Sequence, residues 1–182
     1  NGLVAFQMAL SVVLLMGGGL FVRSLAEARN ADLGFSTRSA GIVWVDLALS
    51  GVPAAEQLAV RDELTRRARA LPGIDKATSA SQIPFLFHAS GGFYSIPGAD
   101  PPARGSGHNV QREEVDPEFF ATMGIPVVTG RSFTIDDRPD TRAVAIVNET
   151  AAKRFWPGES PVGRQFSPLG SERTVHIVGV AR

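Results

Sequence analysis

Leu3 to Val22 reads LVAFQMALSVVLLMGGGLFV, a run of 20 residues without a charge. At a rise of about 1.5 Å per residue, a helix of this length covers roughly the 30 Å hydrocarbon core of a bilayer. Eleven of its residues are Leu, Val or Phe. Each favours insertion by about 0.3–0.6 kcal/mol at a helix centre, so together they supply about −3 to −7 kcal/mol. Gln7, Ser11 and the glycines at 17–19 offset this only in part. A buried helix of a soluble protein would carry a polar stripe over such a length. A cleaved leader would have a shorter apolar stretch and a small-x-small site before Arg23. The run predicts a transmembrane helix.

Gln7, Ser11 and Gly18 recur at spacings of four and seven, so they share one helix face. Small or weakly polar residues there let a second transmembrane helix approach closely. Gly17-Gly18-Gly19 either serves that approach or loosens the helix. From Arg23 to Ala31 the pattern stays compatible with a helix but becomes charged, which reads as a short stalk, and Asp32-Leu33-Gly34-Phe35 ends it. Arg23 and Arg29 alone do not orient the helix.

The remainder predicts a mixed α/β globule. Ile42 to Leu49 alternates, with Val43, Val45, Leu47 and Leu49 on one side, the period of a half-buried strand. A helix over 54–70 follows, with Leu58, Leu64, Ala68 and Leu71 as its inward stripe and Arg61 on its outer face. Ile74 to Ser81 reads as a second strand, giving a βαβ unit. After a Gly/Pro-rich excursion containing one strand near Phe93 to Ile96, a strand is expected over 110–115. Asp116 then caps a short helix starting at Pro117, and a strand at 125–128 closes at Gly130. A strand at 143–147, a helix at 149–155 capped by Asn148, and strands near 165–166 and 174–180 make a βαββ-like second lobe. The expected fold class is therefore α+β, a transmembrane helix followed by two mixed α/β lobes. Residues 1–31 form helix and stalk, and residues 32–182 form the domain, with lobes at about 40–130 and 142–182. The ends at Asn1 and Arg182, the latter just after the apolar run Val175, Ile177, Val178 and Val180, read as cuts from a longer polypeptide truncated at its carboxyl end.

Composition narrows function by exclusion. Eighteen Lys+Arg against 18 Asp+Glu give a formal charge of +0, which provides no general attraction to nucleic acid. With no cysteine, thiolate metal sites, cysteine nucleophiles and disulfides are ruled out. His88, His108 and His176 lack metal-ligand spacing. Asp136, Asp137 and Asp140 lack the glycine and terminal glutamate of a calcium loop. No phosphate-binding Gly-x-x-x-x-Gly-Lys-Ser/Thr and no Gly-x-Ser-x-Gly elbow occurs. Glu113 and Glu114, neighbours in an expected strand, point to opposite faces. No catalytic, cofactor-binding or metal-binding residue is assigned, and the chain is not read as an enzyme. Phe85, Phe87, Phe93 and Tyr94, beside prolines and glycines, are the candidate partner- or substrate-contact residues; a tucked-in loop is the competing reading for the first two.

Three stretches together carry a family resemblance. AFQMALSVVLLMGGGLFVRSL at 5–25 is similar to the helix that introduces the MacB-like periplasmic core domain in FtsX-like ABC transporter permeases. RALPGIDKATSAS at 69–81 resembles the end of that domain's first helix and its next strand. The most specific part is DPEFFATMGIPVVTGR at 116–131 with VAIVNETAAKRFWPGESPVGRQF at 144–166. The likeness is greatest to permeases carrying the domain twice, in their second copy. It implies a two-lobed periplasmic domain on an inner-membrane anchor, with residues after about 31 in the periplasm. It further implies a cytoplasmic ATP-binding subunit and, as partners within the bilayer, lipid and other permease helices or a second permease copy. The implied role is non-catalytic coupling of ATP hydrolysis to export or extraction of a substrate. The alternative is a membrane-anchored interaction or regulatory domain without transport. No binding residue transfers, because Gly124, Pro126, Gly130, Asn148, Pro157, Gly158, Pro161 and Gly163 all read as turns and caps.

Overall fold

The computed structural model describes residues 2–29, 40–81, 91–100, 107–138 and 141–182. It divides into two compact units, 1–35 and 36–182. The first contains helix α1, Gly2–Arg29, uninterrupted across the glycine triplet, with no buried residue. At 28 residues it is roughly 42 Å long, longer than the hydrocarbon core. Its charged last turns carry an exposed Arg23–Glu27 pair at 3.0 Å.

The second unit is built on one sheet. In chain order its strands are β1 Gly91–Ser95, β2 His108–Gln111, β3 Val127–Gly130, β4 Val144–Asn148, β5 Gln165–Pro168 and β6 Val175–Ala181. Strand β6 lies between β4, which runs parallel along its whole length, and β5 and β3, which run antiparallel at its two ends. Beyond β5 come β1 and then β2, both antiparallel. The β4–helix–hairpin connection is the expected βαββ unit. The boundary expected at about 130–142 does not interrupt the sheet: β1, β2 and β3 precede it in sequence, yet they join β5 and β6 in one sheet.

Helix α4, Glu149–Phe155, starts as the sequence predicts, with Asn148 Oδ1 accepting from the Ala151 amide at 2.8 Å. It delivers Phe155 and Trp156 to the core beside Tyr94, Ile96 and Ile177. Ile177 is only 1% exposed. Tyr94 meets Phe166, and Phe155 meets His108, edge to face with centroids 5.5 and 5.1 Å apart. These geometries suit the ring quadrupoles.

Helix α3, Phe119–Met123, begins two residues later than Pro117, because the Asp116 carboxylate first closes a turn by accepting from the Glu118 amide at 3.0 Å. Gly124 ends it in the left-handed region. Helix α2, Ala54–Arg69, keeps close to its expected bounds but buries no residue. Its expected inward stripe is mostly unburied: Leu58, Leu64 and Leu71 are exposed and only Ala68 is half-buried, as is Arg61, expected on the outer face. The expected strand at 42–49 is absent. Residues 40–46 are irregular, 47–50 form a turn, and Val43 is 87% exposed. Asp46 holds that turn through its carboxylate, which accepts from the Leu49 amide at 2.9 Å. Such a local bond competes with a ladder, and no described segment pairs with 42–49. Of the strand expected at 74–81, only the Ala80–Val115 bridge forms.

Gly130 permits the junction of β3 with β6. Its φ is +78°, and a Cβ there would collide with the Val178 carbonyl oxygen and lie 2.9 Å from Gly179 Cα. Gly158 has a similar φ, +77°, but open space around it. Gly130→Ala should cost about 2–4 kcal/mol from strain and overpacking combined, and Gly158→Ala about 1 kcal/mol. Urea unfolding of both variants checks this; equal midpoints would show that the backbone contact does not matter.

Candidate functional site

Four side chains are candidates for contact with a partner, and the structure separates them. Strand alternation forces Phe93 and Tyr94 to opposite sides of β1. Phe93 is 55% exposed and Tyr94 only 5%. Tyr94 is thus corrected from contact candidate to core anchor, packed against Phe166. Phe93 stays on the surface beside exposed Leu169, whose amide donates to the Phe93 carbonyl at 2.7 Å. Leu169, just past the end of β5, is an apolar neighbour with no signal in the sequence pattern. Phe85 and Phe87 lie outside the described residues.

On α1, Gln7, Ser11 and Gly18 fall on one face, as helical spacing requires, and all three are exposed. Large apolar residues surround the helix: Leu3, Leu14 and Phe21 share this face with them, and Phe6, Val12, Val13 and Met16 cover the others. This all-round apolar surface suits contact with lipid chains.

Chemical candidates find structural roles. No group of three or more potential metal ligands occurs among the described residues. His108 packs on Phe155, His176 sits in β6, and His88 lies outside the described residues. Asp137 accepts from both terminal nitrogens of Arg131, at 2.6 and 2.8 Å, and from the Thr134 amide at 2.7 Å. The Arg131 hydrogen bond, aided by those from Thr134, lowers the Asp137 pKa from 3.8 to about 2. A carboxylate engaged in this way holds the turn after β3 and is poorly disposed to bind a cation. The shallow depression beside α4, lined by Val128, Glu149, Lys153 and Pro161 among others, has about 210 Å³. That falls below the usual 300–1,000 Å³ of ligand pockets.

With this geometry in view, the likenesses to known proteins are of one kind. A family model described as the MacB-like periplasmic core domain matches residues 2–182, helix included. No curated protein matches the chain in sequence. The fold resembles the extracellular domain of the noncanonic ABC-type transporter YknZ from Gram-positive bacteria, with a TM-score of 0.50 at 16% identity. That likeness covers 71% of this chain and 64% of the other. The periplasmic region of MacB from Actinobacillus actinomycetemcomitans gives a TM-score of 0.47 at 18% identity, covering 68% of this chain and 49% of that one. The chain thus spans about half to two thirds of the length of these relatives.

Two measurements probe these elements. Arginines at both Val13 and Leu14 should cost about 5–7 kcal/mol of membrane insertion, and extraction from membranes under alkaline conditions should then release the chain. Unchanged extraction would defeat the spanning assignment. Asp137→Asn should cost about 1–2 kcal/mol near neutral pH, discounted for the exposure of Arg131. Because folding depresses the Asp137 pKa, its stabilisation is complete above the ordinary value of 3.8 and is lost as pH falls toward 2. The stability gap between wild type and variant should therefore close between about pH 4 and pH 2; a gap constant with pH would contradict this.

Proposed function

The chain belongs to the family of MacB-like periplasmic core domains, and from that premise we propose that it is the extracytoplasmic, non-catalytic part of an ABC-type transporter permease. It sits in a bacterial cytoplasmic membrane, with residues after about 31 on the outer side. Its partners are a cytoplasmic ATP-binding subunit, lipid, and further permease helices or a second permease copy that meets the Gln7, Ser11 and Gly18 face. ATP hydrolysis at the inner surface moves α1, and the outer domain converts that movement into export or extraction of a substrate. Phe93 is the residue we assign to contact with substrate or an outer partner.

One observation supports this reading above the others: a single family match spans the bare apolar helix and the α/β unit without interruption. A helix that only anchored a domain would not need to carry a family pattern of its own. A relay would, because its two ends must stay matched.

The relay depends on stiffness between membrane and domain, since a rigid-body movement passes through a connection only if that connection does not bend. A Gly-Ser linker inserted after Asp32 behaves as a random coil. In the reconstituted transporter it should leave membrane insertion and ATP hydrolysis intact while export falls sharply. Full export with the linker in place would exclude the relay and leave the anchored interaction domain as the surviving alternative.

A further inference from the structure

Helix α2 lacks the usual means of attachment. It buries no residue, Leu58 and Leu64 are exposed, and no other described helix or strand packs along it. Val60, Arg61 and Ala68 are half-buried, and among the described residues its long-range hydrogen bonds start from its last residue. At its last residue, the Arg69 guanidinium reaches three separate groups. Nε donates to the Ala77 carbonyl at 2.7 Å, Nη2 donates to Asp116 Oδ2 at 2.9 Å, and Nη1 lies 3.4 Å from Glu118 Oε1. Asp116 is the one buried charged side chain among the described residues. It also accepts from Thr78 Oγ1 at 2.5 Å, the Ser79 amide at 3.3 Å and the Glu118 amide at 3.0 Å.

The two partners are unequal. If Arg69 leaves, Asp116 still has three donors from the 78–79 segment and from the turn before α3, so its charge is not stranded. Arg69 is partly exposed and can exchange its bonds for water. An ion pair with a compensated buried member and a solvent-reachable one escapes most of the penalty of breaking a buried pair. Next to it, Pro72 and Gly73, the latter at φ +84° with open space around it, offer a pivot in the segment that follows α2.

We propose that Arg69 and Asp116 form a releasable latch, which docks α2 against the cap of α3 when closed and frees α2 to swing when open. The sheet and its core do not take part in the opening. Lysine would serve poorly at position 69, because a single ammonium cannot reach three acceptors in the fixed fork geometry of a guanidinium.

The full chain, in detergent micelles, allows a direct test. It has no cysteine, so spin labels at Ala55→Cys on α2 and Lys153→Cys on α4 report one distance. The parent should give a narrow distance distribution. Arg69→Gln should broaden it and raise amide hydrogen exchange in 54–69 about tenfold or more, the factor that goes with losing a charge-assisted hydrogen bond. Exchange in β6 should stay unchanged. Arg69→Lys should fall between the two, and Asp116→Asn, which removes the charge and turns one acceptor oxygen into a donor, should broaden the distribution at least as much as Arg69→Gln. A distribution as narrow in Arg69→Gln as in the parent would overturn the latch. So would equal loosening of α2 and β6, since the pair would then be a determinant of the whole fold.

Discussion

Pairing along both edges of β6 organises the folded unit. Seven residues, Val175–Ala181, meet β4 on one side and β5 and β3 in succession on the other, so distant stretches of the chain meet on one strand. Burial follows from this position: Ile177, Gly179, Val180 and Ala181 are enclosed. Small residues are needed where neighbours crowd it. A Cβ on Gly179 would come within 2.5 Å of the Arg131 carbonyl oxygen, which ties the backbone of β6 to the turn that Arg131 and Asp137 hold in place. Core packing and turn electrostatics therefore depend on the same strand.

Local chemistry was legible where it was self-contained. Asn148 before Glu149 announced a helix start and the apolar 174–180 run a strand, whereas Asp116-Pro117-Glu118, which reads as a capped helix start, closes a turn ahead of α3. Each depends on residues adjacent in sequence. The Ile42–Leu49 alternation was misleading, because period two specifies a strand only when another strand accepts its hydrogen bonds, and none of the described segments does. The α2 stripe failed for a related reason: apolar periodicity tells which face would be buried given something to bury it against. Tyr94 is a different case. Adjacent strand residues cannot share a face, so grouping it with Phe93 as a contact residue overlooked a rule that the sequence already supplied.

The absence of chemical motifs was informative in another way. The turn around Asp137 and the aromatic packing of His108 show polar groups committed to structure. In the proposed role as a non-catalytic part of a transporter, function is sought in what can move or be touched.

That shift changes what a buried charge means. In an enzyme, a carboxylate like Asp116 with four donors around it would be a candidate acid or base. Here its two oxygens are taken up by Arg69, Thr78, the Ser79 amide and the Glu118 amide. In the proposed latch its usefulness is mechanical, because it holds a helix along which no other described helix or strand packs. A rigid sheet around β6 and a helix attached through one polar end are complementary properties: the first preserves shape under load, and the second supplies a part that can change position without unfolding the rest. A domain stabilised uniformly by apolar burial would have the first property and lack the second, since separating closely packed surfaces costs far more than exchanging one partly exposed guanidinium's hydrogen bonds for water.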